Sequence, residues 1–147
     1  MATPAGTPRG CTNFKLRQLL RSVSRLYDAE LARAGLKTTQ YSLLSHLVAE
    51  SPVAPGVLAR RMGMDASTLT RNVQLLGARG WVAQVPGTDG RSRLLSLTPE
   101  GRAVHTAAKS HWKRAQLALN ARLGTAQVAN LHTLIDGALH TLGDADP

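Results

Sequence analysis

The sequence predicts a mainly α-helical domain with one small β-ribbon set among its helices. Three observations predict it. Apolar residues recur at helical spacing over most of the chain, the mark of helices buried along one face. One stretch, Trp81 to Leu97, breaks that pattern with two short runs rich in strand-formers around a Pro- and Gly-containing loop. Glycine and proline then punctuate the helical runs at Gly35, Pro52, Gly63, Gly80 and Gly124.

The elements follow in order. Leu16, Leu19, Leu20, Val23, Leu26, Tyr27 and Leu31 predict a first helix from about Asn13 to Ala34, closed by Gly35 as a left-handed cap. Arg17, Arg21 and Arg25 form a separate stripe on it. Thr38 is expected to cap a second helix carrying Tyr41, Leu43, Leu44, Leu47 and Val48, which stops before Pro52. A short third helix starts near Ala54 with Pro55 in its first turn, carries Val57, Leu58 and Met62, and closes at Gly63. Asp65 starts a fourth, its carboxylate placed to accept the free N–H of Ser67 or Thr68. That helix runs through Leu69, Val73 and Leu76 to Gly80. Trp81 to Val85 and Arg93 to Leu97 read as strands, and the segment between them is too long for a tight turn, so it protrudes. Thr98-Pro99 opens a long fifth helix ending near Gly124. Thr125 is expected to cap a sixth, with Val128, Leu131, Ile135, Leu139 and Leu142 along one face.

Composition narrows the function. A chain of 147 residues with 43% apolar content is long enough for one cored domain and is neither disordered nor built to cross a membrane. Residues 1–12 read as a flexible arm without the apolar stretch of a secretory signal, so a cytoplasmic location is expected. The net charge of +9 attracts polyanions, nucleic acid foremost. Arginines outnumber lysines 14 to 4, which favours bidentate contact with phosphate or guanine. A single cysteine, Cys11, excludes an intrachain disulfide and a cysteine-based zinc finger.

Two short helices joined at a glycine and followed by a β-ribbon describe a winged helix-turn-helix. In that arrangement the third helix supports the fourth, whose N-terminal half enters a major groove. Leu58, Ala59, Leu69 and Val73 are the expected packing residues, and Gly63 the turn where a side chain would crowd. Ser67, Thr68, Thr70, Arg71 and Gln74 remain for the outer face, where hydroxyls suit phosphate and Arg71 suits a guanine edge. Between Val57 and Arg93 stand six arginines and only two carboxylates, Asp65 and Asp89. Arg91 and Arg93 on the wing are expected to reach the minor groove, with Asp89 pinning the wing turn or orienting Arg91. Arg60, Arg61 and Arg79 are weaker candidates for DNA contact, and for Arg79, near a helix C-terminus, answering the helix dipole is the plainer reading.

These residues also carry a resemblance. Asp89-Gly90-Arg91 followed by Leu97-Thr98-Pro99-Glu100-Gly101, the run Met64 to Arg71, and Gly35-Leu36 with Thr39-Gln40-Tyr41 resemble, in order, three signatures of the MarR (multiple antibiotic resistance regulator) family. The likeness extends from Leu16 to Leu142 and departs at Ala54, where a capping Ser or Thr is usual. It implies a homodimer built from the first, fifth and sixth helices, bound to a pseudo-palindromic double-stranded operator with half-sites ~34 Å apart. Residues 13–147 would then be one domain, with a dimerisation region over 13–36 and 99–142 and the winged helix-turn-helix over 38–98. Apolar faces larger than one small core can bury agree with that. Family members mostly repress transcription and commonly release DNA when a small aromatic or phenolic anion binds. Tyr41, His46, His111 and Trp112 are the candidates for lining an effector pocket, with ordinary packing as the plainer reading.

Other features weigh less. Cys11 lies before a helix start near Arg9 and Lys15 and resembles the redox-sensing cysteine of the family's organic-hydroperoxide branch. It stands about two residues too far ahead of Leu26-Tyr27, and a lone terminal cysteine is more often inert. His132, Asp136 and His140 recur every four residues but span about 12 Å, too far for one ion, so no metal or cofactor is expected. With no nucleophile motif, phosphate loop or acid–base pair, an enzyme is not expected. The rival is a winged-helix module for protein or RNA, but that would call for an apolar or acidic outer face on the fourth helix.

Overall fold

The computed structural model describes residues 6–143. Six α-helices and one two-stranded antiparallel ribbon build it: α1 (Thr12–Leu31), α2 (Thr38–Glu50), α3 (Pro55–Arg61), α4 (Ala66–Ala78), β1 (Val82–Pro86), β2 (Arg93–Leu97), α5 (Pro99–Leu123) and α6 (Thr125–Leu142). A 3₁₀ turn over Ala32–Ala34 tightens the end of α1, and Gly35 follows in the left-handed region at φ 76°. The first five residues of the expected arm, and residues 144–147 of the expected domain, lie outside the described residues.

Helices α1 and α2 both pack on α5, α3 packs on α4, and α4 abuts β1. Leu31, Leu43, Leu44, Leu47, Leu58, Leu69, Leu76 and Leu95 are wholly buried and tie these elements into one core. Each such leucine contributes roughly 1.5–3 kcal/mol relative to exposure. Ala108 and Ala115 are sealed on α5, where small side chains let neighbouring helices approach. The ribbon pairs Val82 with Leu97 through to Pro86 with Arg93. Val53, in the linker before α3, exchanges backbone hydrogen bonds of 2.9 and 2.8 Å with Leu95, so the linker between α2 and α3 is tied to the second strand of the ribbon.

Local chemistry departs from expectation at several ends. Thr38 does not cap α2; its N–H and hydroxyl both donate to the Asp28 carboxylate of α1, at 2.7 and 2.6 Å. A side chain ten residues upstream thus supplies the acceptor, and the Gln40 side chain accepts the Lys37 N–H at 2.9 Å. Thr125 is likewise no cap, since Gly124 holds the N-cap position of α6 with no side-chain bond. Gly63 meets nothing within 4 Å, so crowding is not why it is glycine; its φ of +62° is. Trp81 precedes β1 rather than belonging to it, half-buried against the core.

Not all apolar surface is covered. Leu16 and Leu20 of α1, Leu117 of α5, and Leu134 and Leu142 of α6 are each more than half exposed, the last two at 71% and 74%. They sit on the three helices at the ends of the chain, and the row on α6 includes Ile135 and Leu139.

Candidate nucleic-acid interface

Helix α4 has two sides with different chemistry. Leu69 and Leu76 are buried and Val73 is half-buried, so this row seats the helix against the core and α3. Ser67, Thr70, Arg71 and Gln74 are exposed on the other side, and Thr68 is half-buried between the two. The start of the helix is rigidly built. Asp65 accepts the Thr68 N–H at 2.7 Å and the Ser67 hydroxyl at 2.8 Å, and these bonds hold its carboxyl down at about 2, with Arg71 adding a smaller attraction. The Arg71 guanidinium leans back to the Thr68 hydroxyl at 3.5 Å, which leaves most of its donors facing solvent.

Asp89 organises the wing. Its Oδ1 accepts the N–H of Arg91 and of Ser92, both at 2.9 Å, and the Ser92 hydroxyl at 2.8 Å. Those bonds, Ser92's first, lower its pKa. It grips backbone rather than the Arg91 guanidinium, so of the two roles expected for Asp89 the geometry supplies the turn-pinning one. Arg91 and Arg93 are exposed at the ribbon tip and on the first residue of β2. Arg60 is exposed on α3, whereas its neighbour Arg61 pairs with Glu50 at 3.1 Å. Arg79 answers no dipole alone: it donates to the Gly35 carbonyl at 3.1 Å and lies 4.3 Å over the Trp81 ring.

A second site lies between α2 and α5. A cleft of about 450 Å³ is lined by Thr38, Tyr41, Ser42, Ser45, His105 and Trp112. Tyr41 stacks between His105, at 4.9 Å between ring centroids, and Trp112, at 6.2 Å. Ser45 Oγ lies 2.9 Å from both the Tyr41 carbonyl, to which its hydroxyl donates, and His105 Nε2. Burial, then Lys109 and Arg102, push the His105 pKa below its ordinary value. Two expected lining residues are absent from the cleft. His46 turns its Nδ1 to the Ser42 carbonyl of its own helix at 2.8 Å, and His111 faces Glu30 at 3.5 Å. His105 takes their place, a residue that spacing along α5 alone did not distinguish from its neighbours.

Cys11 stands exposed at the N-cap position of α1. His132, Asp136 and His140 are exposed on α6, and among the described residues no three His, Cys, Asp or Glu side chains lie close enough to share a metal.

Known proteins share this arrangement. A model described as MarR family matches residues 34–92, the segment from Ala34 to the ribbon tip. A Pseudomonas aeruginosa protein described as a probable transcriptional regulator superposes with a TM-score of 0.77 at 30% identity, over 84% of this chain and 93% of its own. The chain belongs to the MarR family. The transcriptional regulator MosR of Mycobacterium tuberculosis, solved in complex with DNA, is similar at 29% identity and a TM-score of 0.72, covering 88% of this chain and 98% of that one. The PcaV transcriptional regulator of Streptomyces coelicolor, solved with its natural ligand, is 28% identical with a TM-score of 0.79, covering 97% and 99%. The chain spans 63% and 56% of the length of two curated relatives it matches, an HTH-type transcriptional regulator of Bacillus subtilis and the multiple antibiotic resistance protein MarR of Salmonella typhimurium. Among the described residues no helix is long and apolar enough to cross a membrane.

Proposed function

We propose that this chain is a cytoplasmic, homodimeric transcriptional regulator that binds a pseudo-palindromic duplex operator, and that it acts by occupancy rather than catalysis. The single observation that carries this is the two-sided α4. Its apolar row holds it to the core, and a row of hydroxyl, guanidinium and carboxamide groups is turned to solvent. Such a row offers donors and acceptors to base edges and phosphates at once. The wing adds Arg91 and Arg93 on a turn stiffened by Asp89, and the +9 charge adds attraction at range. The DNA complex of MosR supports the same use of this fold.

The exposed leucines of α1, α5 and α6 are the surface through which two copies join, along the regions 13–36 and 99–142. Two-fold symmetry then sets two reading helices about one helical turn of DNA apart, ~34 Å. The cleft of Tyr41, His105 and Trp112 takes a small aromatic or phenolic effector, whose binding releases the operator and lifts repression. A cleft lined by the stacked Tyr41, His105 and Trp112 rings, with the hydroxyls of Thr38, Ser42 and Ser45 beside them, suits such a compound. The natural-ligand complex of PcaV is consistent with it.

Selection from a random duplex pool followed by fluorescence-anisotropy titration tests the central reading. The expected result is enrichment of an inverted repeat bound at least about a thousandfold tighter than scrambled duplex at physiological salt. Equal affinity for both would end the regulator reading.

A further inference from the structure

We infer that Arg79 is a positioning residue that fixes the reading helix relative to the helical frame, and so sets which half-site spacing the dimer accepts. The inference rests on the DNA-binding reading above. The winged unit joins the frame covalently at two places, entering between Gly35 and Thr38 and leaving at Thr98–Pro99. Three consecutive residues after α4 touch both crossings. Thr98 donates its hydroxyl to the Gly80 carbonyl at 2.7 Å and its N–H to the Trp81 carbonyl at 3.1 Å. Arg79 alone among the three reaches the entry side, donating Nη1 to the Gly35 carbonyl at 3.1 Å.

The stack on Trp81 gives this contact its stiffness. A guanidinium whose central carbon lies 4.3 Å over the indole ring is held there by cation–π attraction, which restricts the directions from which Nη1 can meet the Gly35 carbonyl. Gly35 is itself the left-handed joint at which the chain turns out of α1. Its neighbours are also braced, with Gly35 N–H bonded to Ala32 and Leu36 N–H to Leu31. A bond from the end of α4 to that joint resists any swing of the reading helix away from α1. In a dimer, a small swing in each subunit changes the separation of the two reading helices, and hence the spacing they match.

The test uses full-length protein and the selected inverted repeat, with a second duplex carrying two base pairs inserted between its half-sites. Arg79→Ala is expected to weaken the cognate repeat roughly threefold to tenfold. It should leave the salt slope unchanged and shrink the penalty for the inserted pairs. Arg79→Lys keeps the charge but not the guanidinium that reaches the Trp81 ring and the Gly35 carbonyl together, and is expected to fail to restore spacing discrimination. Without DNA, hydrogen exchange at Gly35 and Leu36 should quicken about threefold to tenfold in Arg79→Ala, with Leu43 to Leu47 unchanged. A salt slope lowered by about one with spacing preference intact would make Arg79 a phosphate contact and overturn the inference. So would unchanged exchange at Gly35 and Leu36. Wild-type protein with no duplex preference would sink the regulator reading instead, and the exchange measurement would still decide whether the tether exists.

Discussion

A Cβ atom placed on Gly101 would lie 2.2 Å from the carbonyl oxygen of Trp81 and 2.8 Å from Leu97 Cδ1. The first turn of α5 therefore meets the root of the ribbon almost backbone to backbone. Thr98 closes the same junction, accepting the Gly101 N–H at 3.0 Å while donating to Gly80. Gly101→Ala gains helix propensity of about 1 kcal/mol but forces a peptide carbonyl to move. We expect a net loss of roughly 1–3 kcal/mol, read by urea unfolding, because the obstacle is backbone rather than a flexible side chain. A variant as stable as wild type would mean that helix and ribbon part freely.

Arg71 and Arg91 should separate by the kind of loss they cause. Arg71 projects from the outer row of α4, where a bidentate pair with a guanine edge discriminates between bases. Arg71→Ala is expected to cost about 1–3 kcal/mol on the selected operator and to relax preference at one base per half-site. Arg91 rides on the wing turn, so Arg91→Ala should weaken binding to most sequences and reduce the salt slope by about one. Titrations of cognate and scrambled duplex at two salt concentrations check both. Equal loss on the two duplexes for Arg71→Ala would remove it from base reading.

How much of this was legible in the chain itself differs by range of interaction. Helix periodicity, the ribbon and the two-sided α4 follow from neighbours within a few residues, and Leu69, Val73 and Leu76 fall inward as their spacing requires. Asp65 was readable for the same reason, since its acceptor role depends on residues two and three positions on. The Asp28 cap on α2 and the Val53–Leu95 bridge were not, because each depends on a partner brought close only by tertiary packing. The cleft shows the same limit. Tyr41 and Trp112 stood out as large aromatics, but choosing His105 over His111 needs the rotation of α5 against α2, which weak amphipathicity on a long helix does not reveal.

Association should depend on the uncovered leucines. Leu134 and Leu20 are 71% and 64% exposed in a single chain, and neither contributes to the core. Replacing either with aspartate leaves the folded subunit intact while placing a charge in a surface that must become dry when two copies meet. Sedimentation velocity is expected to show monomer for Leu134→Asp at concentrations where wild type is dimeric. Operator affinity should fall with it, since one subunit presents one reading helix. A dimer that survives both substitutions would place the subunit contact elsewhere.

The cleft carries a pH signature through His105. Its folded pKa lies below the ordinary 6.5, chiefly because burial penalises the charged ring and then because Lys109 and Arg102 repel it. On acidification the unfolded chain therefore takes up the proton first, and stability falls as pH drops through about 6.5 toward the lower folded value. His105→Gln should flatten that fall in denaturant titrations between about pH 7.5 and 5.5. Ligand charge extends the argument. An aromatic carboxylate seated against His105 favours the imidazolium, so its affinity should rise as pH falls from about 7.5 to 6, whereas a neutral phenol should show no such rise. Calorimetric titrations of benzoate and phenol against wild type and His105→Gln distinguish the cases. A carboxylate slope that persists in His105→Gln would assign the proton to another group and take His105 out of ligand recognition.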